Sequence, residues 1–131
     1  MPPTILIVED ERIVAKHLEV RLSRWGYRVS ANVASGESAL DQLAVVEPDL
    51  VLMDIRLAGR MDGIEAARRI ARISAVPIVY MTAYGDDVTL ARVKHTRPAG
   101  YLVKPYTDVE LERVVEQALR WNKIPKPCLK D

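Results

Sequence analysis

Asp49-Leu50-Val51-Leu52-Met53-Asp54 decides how this chain folds. Four apolar residues stand between two aspartates without a polar break. A strand with one wet face alternates apolar and polar. A run that does not alternate reads as a strand covered on both faces, as strands in parallel sheets are. Pro48 and Asp49 break the helical pattern before it, and Asp54 is a charge at its far end.

Outward from this run the same grammar repeats. Toward the N-terminus, Thr4–Glu9 is a short β-branched run and reads as a buried strand. Val14, Leu18, Leu22 and Trp25 then make an apolar stripe at helical spacing, which Gly26 is placed to end. Tyr27–Val33 alternates and predicts a second strand near a sheet edge. Ser35 is a plausible N-cap for a helix with Leu40, Leu43 and Ala44 inward. On the C-terminal side, a loop from Ile55 to Met61 leads into a helix over 62–73 with Ile64, Ala67, Ile70 and Ala71 inward. Pro77–Met81 reads as the fourth strand. A helix starting at Asp86 or Asp87 ends near Thr96, before Pro98. Gly100–Val103 is the fifth strand. Thr107 or Asp108 caps a last helix with Leu111, Val114, Val115, Ala118 and Leu119 on one side, and the chain from Ile124 reads as tail or linker. Five strand–helix units of this size predict an α/β fold: a three-layer (βα)5 sandwich with a parallel five-stranded sheet in the flavodoxin-like order 2-1-3-4-5. The expected domain is 4–121, with 122–131 as tail.

The chain has 131 residues, 49% of them apolar, which suffices for one domain with a real core. Its formal charge of +1 argues against bulk attraction to nucleic acid or anionic membrane. The single cysteine, Cys128, can form no internal disulfide, so a reducing compartment is the simpler reading. No signal-peptide pattern follows Met1, and no apolar run approaches a membrane span, so a cytoplasmic location is expected.

Parallel strands end on one edge of their sheet. Here the ends are polar: Glu9-Asp10, Asp54, Thr82, and Lys104 before Pro105. Glu9 and Asp10 alone could merely begin a helix, where acids favour the dipole. Adding Asp54 changes the balance. Three acids in one crevice repel one another, and a hard divalent cation such as magnesium relieves them. A carboxylate can act as a nucleophile toward phosphorus, and Asp54, ending the central strand, is the candidate. Lys104 would supply a point charge and Thr82 a hydroxyl; each alone reads as an ordinary strand-end residue. His17 and His95 sit at no strand end.

The motifs Ile5-Leu6-Ile7-Val8-Glu9-Asp10-Glu11, Val51-Leu52-Met53-Asp54, Met61-Asp62-Gly63, Pro77-Ile78-Val79-Tyr80-Met81-Thr82-Ala83 and Gly100-Tyr101-Leu102-Val103-Lys104-Pro105 come in this order. Together they resemble the receiver domain of two-component response regulators. The resemblance implies that Asp54 is phosphorylated by a sensor histidine kinase, and that Mg2+ is held by Asp10, Asp54, Glu9 and the backbone carbonyl of Arg56. It further implies that Thr82 and Lys104 contact the phosphoryl oxygens and that Tyr101 is a switch aromatic responding to Thr82. A downstream protein, an effector domain or a second copy of the chain would read the switched surface. Such a protein catalyses only its own phosphoryl transfer and autodephosphorylation. The loop from Asp54 to Gly63 is one residue longer than is usual, with Ala58-Gly59 where proline is often found. In this it resembles receivers attached to sensor kinases and other signalling modules. Arg56 and Tyr84 are bulky residues expected to flank and shield the phosphoryl group. Three other readings compete, one of them a degenerate receiver used only for protein docking, against which the full set of acids, Thr82 and Lys104 argues. A haloacid-dehalogenase-type phosphohydrolase places its aspartates after the first strand, where this chain has Glu9-Asp10-Glu11. A flavodoxin-type module needs a Ser/Thr/Gly-rich loop where this chain has Asp10-Glu11-Arg12.

Overall fold

The computed structural model describes residues 2–83 and 87–123, with the side chains of 87, 88, 90 and 121–123 left out. Tyr84, the alternative helix start Asp86, the Trp121 side chain, the end of the chain from Ile124 and its Cys128 lie outside the described residues. The elements alternate without exception: β1 (Thr4–Val8), α1 (Arg12–Arg24), β2 (Arg28–Val33), α2 (Gly36–Val45), β3 (Leu50–Asp54), α3 (Gly63–Ala71), β4 (Ile78–Ala83), α4 (Asp87–Lys94), β5 (Gly100–Lys104) and α5 (Asp108–Lys123). All pairings are parallel, and the strand order is β2-β1-β3-β4-β5, as expected.

The two-residue period of the strands divides the core in two. Ile5, Ile7, Leu50, Leu52, Val79, Met81 and Leu102 face α1 and α5, where Leu18, Leu22, Leu111 and Val115 meet them. Leu6, Val8, Val51, Met53, Ile78 and Tyr80 face the other way, onto Ala39, Ile64, Ala67, Ile70 and Val93. All of β3 is buried, which is why its sequence does not alternate.

Local signals set the helix ends. Gly26 has φ +94 and ends the α1 turn; Trp25 packs part-buried on the core beside it. Ser35 caps α2 by accepting from the Ser38 amide at 3.1 Å. Thr107 and Glu110 form a reciprocal capping box at α5, with the Glu110 amide on Thr107 Oγ1 at 3.1 Å and the Thr107 amide on Glu110 Oε1 at 2.9 Å. Two inward assignments are corrected. Ala44 is exposed because the buried stripe of α2 runs through Gly36 and Ala39, with Leu40 and Leu43 partly buried beside it. Ala71, at the end of α3, is exposed where the helix leaves the sheet, and Ala66 takes an inward place. Helix α3 is also shorter than the expected 62–73, since Asp62 is its cap rather than its first residue. Among the described residues no helix is long and apolar enough to cross a membrane.

Candidate functional site

Strand alternation does more than build the core. Asp54 follows Leu50 and Leu52 in phase, Lys104 follows Leu102, and Glu9 follows Ile5 and Ile7. The three charged residues thus leave the sheet toward the same side. Glu9 extends the ladder past β1, its amide donating to the Val33 carbonyl at 2.9 Å. Lys104 Nζ lies 2.9 Å from Asp54 Oδ2 and 3.0 Å from Glu9 Oε1, a single ammonium bridging two buried carboxylates. The Lys104–Pro105 peptide bond is cis.

Burying these charges has consequences. Glu9 is fully buried, and its other oxygen accepts from the Glu11 amide at 3.1 Å. Burial, helped by the hydrogen bond and repulsion from Asp54, pushes Glu9 up to about 7, and the Glu11 amide and Lys104 only partly offset this. Burial disfavours the Lys104 charge too, but its bonds to Asp54 and Glu9 win and push it up to about 12. Asp54 Oδ1 accepts from the Arg56 amide at 3.0 Å, fixing the carboxylate plane.

Asp10, Asp54, Arg56, Thr82 and Lys104 line one cavity of about 350 Å3. One oxygen each from Glu9, Asp10 and Asp54 lie within 4.8 Å of one another. A donor set made only of carboxylate oxygens suits a hard cation, Mg2+ or Ca2+, and not a thiolate- or imidazole-seeking one. Thr82 is buried, and its hydroxyl makes only a long bond, 3.4 Å, to the Ala83 carbonyl. Tyr101 stands apart from the cavity, exposed on β5 and paired in register with Tyr80. His17 and His95 are exposed and lie away from the strand ends.

The rim explains the Asp62-Gly63 motif. The Gly63 amide donates to the Ile55 carbonyl at 2.8 Å, and a Cβ on Gly63 would sit 2.2 Å from the Asp54 carbonyl oxygen. Only glycine lets the start of α3 lie so close to the strand end that carries Asp54. Asp62 caps α3 through the Glu65 amide at 2.9 Å and pairs with Arg92 of α4 at 2.8 Å. The longer loop is held down as well: Ala58 bridges to Ser35, Gly59 takes φ +92 beside Glu37, and Met61 packs on Gly36. Sequence reasoning placed the acids and Lys104 together but missed their shared ion pair, the Asp62–Arg92 pair and the docking of the loop on α2. Gly59 was the one local signal for the last.

A family model for the response regulator receiver domain matches residues 5–116. The chain belongs to that family. It is 37% identical over 90% of its length to the transcriptional regulatory protein AfsQ1 of Streptomyces coelicolor, covering 52% of that protein. It is 34% identical over 91% of its length to PdtaR of Mycobacterium tuberculosis, covering 58% of it. The chain thus spans about half the length of these curated relatives. Among solved structures it resembles the signal receiver domain of a modulated diguanylate cyclase from Desulfovibrio desulfuricans, with 38% identity, TM-score 0.87, and 94% and 98% of the two chains covered. It also resembles the N-terminal domain of a three-domain response regulator/sensory box/GGDEF protein from Carboxydothermus hydrogenoformans, with 36% identity, TM-score 0.83, and 92% and 96% covered. Receiver domains are phosphoacceptors and generally bind Mg2+.

Proposed function

We propose that this receiver is a phosphorylation-controlled switch in which Asp54 takes a phosphoryl group from a phosphohistidine on a sensor histidine kinase. A carboxylate oxygen of Asp54 forms the new O–P bond as the P–N bond breaks, and the electron pair returns to the imidazole nitrogen. Asp10, Asp54, Glu9 and the Arg56 carbonyl would hold Mg2+, which when bound neutralises charge on the transferred group and its acidic surroundings. Lys104, held beside Asp54, offers its ammonium to a phosphoryl oxygen. Thr82 offers a hydroxyl with no strong bond to give up. Its move toward the phosphoryl group would free space on the sheet face that Tyr101 shares with it, biasing the surface around β5.

The observation that carries this reading is Asp54 facing a common cavity with Lys104 at 2.9 Å and with the oxygens of Glu9 and Asp10 alongside. The domain is read as 4–121, located in the cytoplasm. Its chemistry is limited to its own phosphorylation and autodephosphorylation, and its switched surface is read by a downstream protein, an effector domain or a second copy. The test is to add acetyl phosphate and Mg2+ and record the intact mass. One added phosphoryl group that Asp54→Ala abolishes supports the reading. No mass gain, or a gain that survives in Asp54→Ala, overturns it. Arg56 is exposed on the cavity rim, and we expect it to shield the acyl phosphate. Arg56→Asn should therefore shorten the lifetime of phosphorylated protein, measured by the decay of the added mass.

A further inference from the structure

The three acids at the carboxyl edge are held in different ways. Glu9 and Asp54 are fixed through their own side chains, by Lys104 and by the amides of Glu11 and Arg56. The Asp10 carboxylate makes no hydrogen bond or ion pair among the described residues, yet it brings an oxygen within 4.8 Å of oxygens of Glu9 and Asp54. Its aim therefore comes from the backbone on either side, and that backbone is pinned. The Glu9 amide donates to the Val33 carbonyl at 2.9 Å, and the Glu11 carbonyl accepts from the Ala15 amide at 2.9 Å as α1 begins. Between them, the Glu9 carbonyl, part of the peptide that leads into Asp10, accepts from Arg12 Nη1 at 2.8 Å.

Arg12 is a poor local choice for its place. It is the first residue of α1, where a cation opposes the helix dipole, and α1 has neither an acid in its first turn nor a side-chain cap. What the residue gains is tertiary. Its guanidinium reaches back across the loop to the end of β2, where Nη2 donates to the Asn32 carbonyl at 3.0 Å and to Asn32 Oδ1 at 3.1 Å. Asn32 is tied down in turn: its Nδ2 donates to the Ala15 carbonyl at 3.1 Å and to Glu19 Oε1 at 3.2 Å. A rigid planar fork suits this task, since two nitrogens must meet acceptors on two different segments at once. A residue that breaks a local rule and gains only contacts beside the acidic site points to a role in that site.

We propose that Arg12 is a positioning residue for the cation site: its fork, braced by Asn32, holds the Glu9–Asp10 peptide and so aims the Asp10 carboxylate at the oxygens of Glu9 and Asp54. The inference rests on the reading of these acids as ligands of Mg2+. It also fixes a sign. Arg12 is a cation close to an anionic site, and as a charge alone it repels a divalent cation, so its removal would tighten binding. As a positioning group it does the reverse: its removal frees the backbone that aims Asp10 and weakens binding.

The test titrates Mg2+ into isotope-labelled full chain, with no phosphoryl donor present, and takes Kd from the backbone amide shifts of 9–11 and 54–56 by NMR at a temperature well below Tm. Arg12→Ala should weaken binding about tenfold, the scale on which groups that support a metal ligand act. Asn32→Ala changes no charge and should weaken it about two- to fivefold, since it removes the brace and leaves the Arg12 bond to the Glu9 carbonyl. Arg24→Ala removes an equal charge about 18 Å along α1 and should leave Kd unchanged. An Arg12→Ala chain that binds Mg2+ as tightly as the parent, or more tightly, overturns the proposal and leaves the cation site standing. An Asn32→Ala chain equal to the parent overturns the bracing. A parent chain that shows no saturable shifts overturns the reading of the acids as Mg2+ ligands and this inference with it.

Discussion

The sheet ends in two cavities of similar size that handle charge in opposite ways. At the carboxyl edge, the cavity around Asp54 takes charge inside: Glu9 is fully buried, and Lys104 is bonded to two carboxylates. At the amino edge, a cavity of about 430 Å3 between the ends of α3 and α4 keeps its Tyr80 and Thr96 hydroxyls bonded within the protein and leaves Arg97 on the rim, in solvent. Desolvation makes the difference. Inside the first cavity it shifts protonation and gives each ionic contact weight, which suits chemistry. On the rim of the second, ionic contacts are screened and worth little singly.

The sharpest way to break this contrast is to exchange the consequences of mutation. Asp54→Ala should abolish phosphoryl incorporation from acetyl phosphate, whereas Thr96→Val in the amino-edge cavity should leave incorporation within about twofold by intact mass. Next in size is Gly63→Ala. A methyl group driven against the Asp54 carbonyl should cost about 2–3 kcal/mol and lower Tm by roughly 8–12 °C in thermal unfolding.

The buried acid also predicts a pH dependence. Glu9 binds its proton more tightly folded, with a pKa of about 7, than its ordinary value of 4.5. The folded state therefore holds more protons than the unfolded one between those values. The stability contributed by protonated Glu9 is full below about 4.5 and is lost as pH rises through about 7. In Mg2+-free buffer the loss should be on the order of 2 kcal/mol by urea unfolding, and Glu9→Gln should flatten that slope. A slope unchanged in Glu9→Gln would show that the carboxyl edge does not store charge in this way.

In the amino-edge cavity the effects should be smaller. Thr96→Val strands the buried Tyr80 hydroxyl and should cost about 1–2 kcal/mol, a fall of roughly 4–8 °C in Tm. Arg97→Gly relieves a left-handed backbone and should raise stability by about 1 kcal/mol or less. If Arg97→Gly destabilised the chain, the arginine side chain would be stabilising the fold by more than its left-handed backbone costs.

The fold was readable because its determinants are local and repetitive. Unbroken apolar runs mark buried parallel strands, and Ser35, Thr107 and Gly26 mark helix ends by groups within a few residues. The inward faces were read less well where helices leave the sheet, as Ala44 and Ala71 show, because periodicity says which side is apolar but not where packing stops. The gathering of Glu9, Asp10, Asp54, Thr82 and Lys104 was equally legible, since parallel strands deliver their ends to one edge.

What remained hidden depends on distances between elements. One-dimensional order could set Lys104 near acids but could not show that it bridges Glu9 and Asp54, nor that Glu9 is the member driven toward neutrality. The same holds for the Asp62–Arg92 pair across 30 residues, for Tyr80 reaching Thr96, and for the left-handed backbone of Arg97. By itself the sequence determined the alternation of elements, from periods of 2 and 3.6 and from capping groups near in the chain, and through the rule for doubly wound parallel sheets the strand order and which side chains would share the carboxyl edge. Only the tertiary structure decided which charges are buried and paired and which stay at a wet rim. Desolvation depends on everything packed around a group, and most of that comes from elsewhere in the chain.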